Sequence, residues 1–164
     1  MLRYLFILTL LGFVHCAEAQ VKSPVVKVHA IRREIVPGAK MEDDATREKS
    51  YRYFLYLETK TGASFTVKEL WINGVKQQFT TAVHKSPVKM DHPVIYSEPE
   101  KNIAVPATKN KVTEVIVEGD KENHRDEGNS TAVNNAALIT IVYQGKSFQV
   151  PIKAFKDREP MFMQ

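Results

Sequence analysis

Apolar and polar positions alternate with a period of two through most of the chain. "VVKVHAIRRE" (25–34) places Val26, Val28 and Ala30 on one face, the spacing of a strand with one side against a core. "YRYFLYLET" (51–59) and "AALITIVYQ" (136–144) are apolar on both faces. Such runs predict central strands, with one face on an opposing sheet and the other covered by a loop or partner. "FTVKELWI" (65–72) and "VKQQFTTAV" (75–83) flank Asn73-Gly74, and "KVTEVIVEG" (111–119) adds a further strand. "VKMDHPVIYS" (88–97) is a weaker one, interrupted by Pro93. In "KSFQVPIKAF" (146–155), Phe148, Val150, Ile152 and Ala154 share a face. Pro151 cannot donate a ladder hydrogen bond, so this strand is expected at a sheet edge. No segment carries a convincing helical period. The count of about seven to eight strands predicts an all-β chain, an antiparallel β-sandwich that is immunoglobulin-like in general plan only.

Asn73-Gly74 is the preferred pair for a two-residue type I′ turn, since both positions need positive φ. With that turn, Ile72 faces Val75, Leu70 faces Gln77 and Lys68 faces Phe79, while Trp71 lies opposite Lys76 and Glu69 opposite Gln78. Register then puts Leu70, Ile72, Val75 and Phe79 on an apolar side and Trp71 on the other, with the Lys76 stem over its ring. A second arrangement competes. Val67 and Phe65 make the rest of Trp71's own face apolar, and a bulge near Glu69 would turn the indole inward. The sequence leaves both open.

The first residues, "MLRYLFILTLLGFVHCAEAQ", join a basic start to a short apolar run and the small-x-small triplet Ala17-Glu18-Ala19. This reads as a secretory signal peptide over 1–19, cut before Gln20. Lipidation at Cys16 would instead anchor the protein to a membrane, but His15 is not the small residue that such a signal places before its cysteine. Residues 20–164 are then one domain of 164 − 19 = 145 residues. The expected location is secreted, periplasmic or extracellular. Cys16 is the only cysteine, so the exported domain has to fold without the disulfides on which small secreted domains often depend. Two long polar loops, 37–50 and 120–135, are charged and poor in apolar residues. The second carries Asn129-Ser130-Thr131, the acceptor pattern for N-glycosylation. The tail carries apolar Met161, Phe162 and Met163, which either dock on the sandwich or remain a sticky surface.

A net charge of +4 suits an anionic surface, yet the cations are interspersed among 19 acidic residues. That mixture, with the export signal, argues against a nucleic-acid partner. Catalytic signatures are absent: no Gly-x-Ser-x-Gly elbow, phosphate-binding glycine loop, dinucleotide fingerprint or His-Glu-x-x-His pair occurs. His29, His84, His92 and His124 are dispersed and read as surface or loop residues. The acidic clusters at 42–44 and 120–127 lack calcium-loop spacing. A glycosidase pair needs only closeness in space, but a sandwich this small has little room for a deep cleft. We therefore expect no metal, no cofactor and no enzyme activity. The expected role is a non-catalytic binding or structural accessory domain for an extracellular or envelope protein. It would engage that partner through an edge strand, the hairpin tip at Trp71 and Lys76, or the long loops. The alternative is carbohydrate binding, with Trp71, Tyr53 and Tyr56 as an exposed stacking platform for a glycan.

Overall fold

A computed structural model describes residues 21–37, 49–90, 102–118, 132 and 134–163. The expected signal peptide, Cys16, Asn129, His92, His124, most of both polar loops and the second part of the 88–97 run lie outside the described residues. Within them the regular structure is eleven strands: β1 (Val25–Pro37), β2 (Ser50–Thr59), β3 (Thr66–Ile72), β4 (Val75–Gln77), β5 (Phe79–His84), β6 (Val88–Lys89), β7 (Ile103–Val105), β8 (Lys111–Val117), β9 (Ala137–Tyr143), β10 (Lys146–Ile152) and β11 (Lys156–Met163). They form a five-stranded sheet ordered β11-β1-β2-β8-β5, a four-stranded sheet ordered β10-β9-β3-β4, and a β6-β7 ribbon. All pairs are antiparallel except β1 with β11, which runs parallel.

The two apolar strands are central, as their double-sided pattern requires: β2 lies between β1 and β8, and β9 between β10 and β3. Leu55, Leu57 and Val115 of the larger sheet share one hydrophobic cluster with Leu70, Ile72, Ile139, Ile141 and Ile152 of the smaller. Full burial of a leucine or isoleucine side chain contributes about 1.5–3 kcal/mol relative to leaving it exposed, so this shared cluster is the main stabilising element. The opposite face of β2 presents Phe54 and Tyr56, which join Ile31, Val112 and Met161 beneath Val88, Met90, Ala104 and Val105. The β6-β7 ribbon thus covers the second side of the five-stranded sheet. On the other side of β9, Leu138 packs with Trp71 and Ala132.

Several local expectations are corrected. Val26 does not share a face with Val28 and Ala30; it is 54% exposed. A register shift between Val25 and Lys27 inserts an extra residue against β2, so Val25 takes its place against the shared cluster with Val28 and Ala30. The 75–83 run is two strands, because the chain leaves β3 at Gln77 and passes to β8 in the other sheet. Lys68 therefore never faces Phe79. The edge position of β10 matches the expectation from Pro151, with Phe148, Val150 and Ile152 on the core side. The strand ends at Ile152, however, leaving Ala154 exposed, and Phe155 turns into the shared cluster. The chain then crosses to the larger sheet as β11, where Met161 is buried and Phe162 is 75% exposed.

Candidate functional site

The Asn73-Gly74 turn forms with both residues at positive φ, 50° and 78°, and pairs Leu70 with Gln77, Trp71 with Lys76 and Ile72 with Val75. A register shift between Val67 and Glu69 sends Val67 to the shared cluster beside Leu70 and Ile72. Trp71 keeps the opposite face, as the turn geometry requires, yet it is only 5% exposed because Ala132 and Leu138 pack on it. The Lys76 ammonium sits 5.6 Å from the indole centroid and 3.0 Å from Glu69 Oε1. That hydrogen bond is the main reason the Glu69 carboxyl lies below its ordinary range. The nearby indole also favours the anion, although Trp71 Nε1 meets no acceptor in full hydrogen-bond geometry among the described residues.

Tyr56 is 2% exposed on the ribbon side of β2, edge-on to His84. Tyr53 is half-buried on the opposite side of the same strand, its ring 4.9 Å from that of Phe155. Trp71, Tyr53 and Tyr56 thus occupy three separate environments and make no coplanar exposed surface. The pattern failed to show this because burial of an outward face depends on what later covers it.

The described residues instead bring together a groove of about 720 Å³ where β1, the end of β7 and the β10–β11 crossing meet. Its floor includes Ala104, Ile152 and Phe155, all buried, and its lining includes exposed Lys27, Lys153 and Lys156 together with half-buried Arg158. Among the described residues no aspartate or glutamate lines it. The buried Nε of Arg158 has no acceptor among the described residues. Pairing of β1 with β11 begins only at Ile31 opposite Lys156. Ahead of that point, Val25–Ala30 pair with β2 on one side, and among the described residues no strand flanks them on the other.

One wall of this groove is held by a buried polar network. His29 Nε2 and Glu58 Oε1 are 2.6 Å apart, and because an ionised carboxylate only accepts, the imidazole donates. Glu58 Oε2 accepts from Thr108 Oγ1 at 3.1 Å and Asn110 Nδ2 at 2.9 Å. Burial alone would push the Glu58 carboxyl up; the bonds from Asn110, His29 and Thr108 outweigh it and hold the group below its ordinary value. Ser86 Oγ ties the same loop by donating to the Thr108 carbonyl and accepting from its amide. The hydroxyls of Ser86 and Thr108 are therefore engaged in holding the loop, and neither is paired with His29 as a nucleophile would be. His84 Nε2 lies 2.7 Å from Glu114 Oε2, a close approach without hydrogen-bond alignment. His29 and His84, expected as surface or loop residues, both lie on strands beside a carboxylate. The legible signal was Glu58, a carboxylate at an inward position of a doubly apolar strand, which needs partners wherever it is buried. Among the described residues no three histidine, cysteine or acidic side chains stand close enough to hold a metal ion.

Comparison with known protein families, with curated proteins and with solved structures finds no match for this chain.

Proposed function

We propose that this is a small exported domain, two sheets packed as a sandwich of immunoglobulin-like general plan, acting as a non-catalytic binding or structural accessory protein. Its partner is a protein of the envelope or extracellular space. The observation that carries this reading is the edge of β1 at Val25–Ala30, unflanked among the described residues, which borders a groove with an apolar floor and cationic rim. An open strand edge presents backbone donors and acceptors that another chain can pair with, and this makes it an interaction surface by its chemistry. The hairpin tip is a weaker contact point, since Lys76 is already engaged with Glu69 and Trp71 is covered. Carbohydrate stacking has no exposed aromatic platform among the described residues in its support.

The test is affinity capture with the purified processed protein from its native envelope and extracellular fraction, reading bound material for proteins and glycans. A defined protein that rebinds when purified is the expected result. Glycan without protein would replace the reading with carbohydrate binding, and recovery of neither would overturn it.

A further inference from the structure

Five consecutive residues, Lys27 to Ile31, line the groove. Successive residues of a strand point to opposite faces, so a groove lying over one face would be lined by every second residue. This one runs along the edge of β1, in the row that β11 occupies from Lys156 onward. The unflanked stretch of β1 is about 20 Å long at the usual rise per residue. Its two walls differ. Lys27 and His29 stand opposite Glu58 and Tyr56, on the face that carries Ile31. Residues opposite each other in register project to the same face, which places Lys156, beside Ile31, on that cationic side. Val28 and Ala30 face the other way, toward the cluster that contains Ile152 and Phe155.

We infer that this slot receives an extended strand of a partner protein in which apolar and acidic residues alternate, added to the five-stranded sheet beside Val25–Ala30. The inserted strand continues the β11 row. Its apolar side chains meet Val28, Ile152 and Phe155, and its carboxylates meet Lys27, Lys156 and the Nε of Arg158, which has no acceptor among the described residues. Charge complementarity selects the occupant, because cations border the slot and no carboxylate among the described residues lines it. An anionic polysaccharide would satisfy the cations but neither the backbone edge nor the apolar wall.

The inference rests on the protein-partner reading, and the test separates the two. A short synthetic peptide of alternating valine and glutamate is titrated by fluorescence anisotropy against the wild-type protein and the double variant Lys27→Glu/Lys156→Glu. Both lysines are exposed, and matching thermal unfolding confirms that the variant folds. The expected results are saturable binding to wild type, affinity weakened about tenfold or more in the variant (1.4 kcal/mol or more), and slowed amide exchange within 25–30. Replacing two valines by proline, which removes backbone donors, is expected to weaken binding comparably. Absent binding, equal binding of the proline peptide, or protection confined to other strands overturns strand addition. Dextran sulfate binding while the peptide stays silent overturns it in favour of a polyanion. The same variant enters the capture experiment: a partner retained as well as by wild type leaves the protein-partner reading standing and overturns the slot. Peptide binding with exchange protection but no captured protein overturns the protein-partner reading and with it the inferred occupant.

Discussion

Trp71 is sealed by Ala132 and Leu138 on the side of β3 that faces away from the shared cluster. Its face follows from the Asn73-Gly74 turn and a register of two-residue steps, and the structure has that register. Its burial does not follow, because the covering contact comes from Ala132, some sixty residues away in sequence and in a segment without strand periodicity. Packing predicts that Trp71→Ala destabilises folding by about 3–5 kcal/mol, measured by denaturant unfolding, with capture of any partner by the remaining folded protein unchanged. Glu58 makes a second residue-level prediction. Its carboxyl is held below the ordinary glutamate value of about 4.3, so its stabilising contribution is present above that pH and lost as pH falls through the depressed folded value. Glu69 and Asp157 are shifted in the same direction, so wild-type acid sensitivity alone does not isolate Glu58. Glu58→Gln is expected to flatten the fall in stability below about pH 4.3 relative to wild type, measured as unfolding free energy across that range. Parallel profiles would show that the network contributes nothing specific.

At the level of elements, strands with strong alternation were legible and their partners were not. β2 and β9 were identifiable as central from apolar residues on both faces, and β10 as an edge from Pro151. The 156–163 segment gave no strand pattern, since Lys156, Asp157, Arg158 and Glu159 are consecutive charges. It becomes a strand through tertiary pairing. Arg33, 3% exposed, donates from Nε to the Glu159 carbonyl at 2.8 Å and from an Nη to the Pro160 carbonyl at 3.3 Å. Those carbonyls lie where the β1–β11 register shifts between Arg33 and Ile35, so the guanidinium satisfies the acceptors that the irregularity would otherwise leave unpaired. Arg33→Met keeps length and apolar bulk but removes both donors. It is expected to cost about 1–3 kcal/mol and to speed amide exchange in β11 ahead of β2 and β9. Uniform acceleration across all strands would count against a local pin.

At the level of the whole molecule, composition bounded the answer more tightly than it located the site. One cysteine excludes an internal disulfide, and the shared cluster between two sheets supplies the cohesion that a cross-link would otherwise add. The edge groove was out of reach of sequence because three separate stretches, near 27–31, 103–106 and 151–158, build it. The parallel β1–β11 pair has a consequence for the order in which the fold is made. Arg32 and Asp157, which bridge the pair, are 125 residues apart. Closing so long a loop is entropically unfavourable until the intervening sheets exist, and folds dominated by such distant pairings form slowly. During synthesis β11 emerges after every other strand of its sheet, so the flank of β1 from Ile31 onward stays open until residues 156–163 are available. Until β11 has been made, a nascent chain of this design stays accessible along that flank to the machinery that handles extended polypeptide.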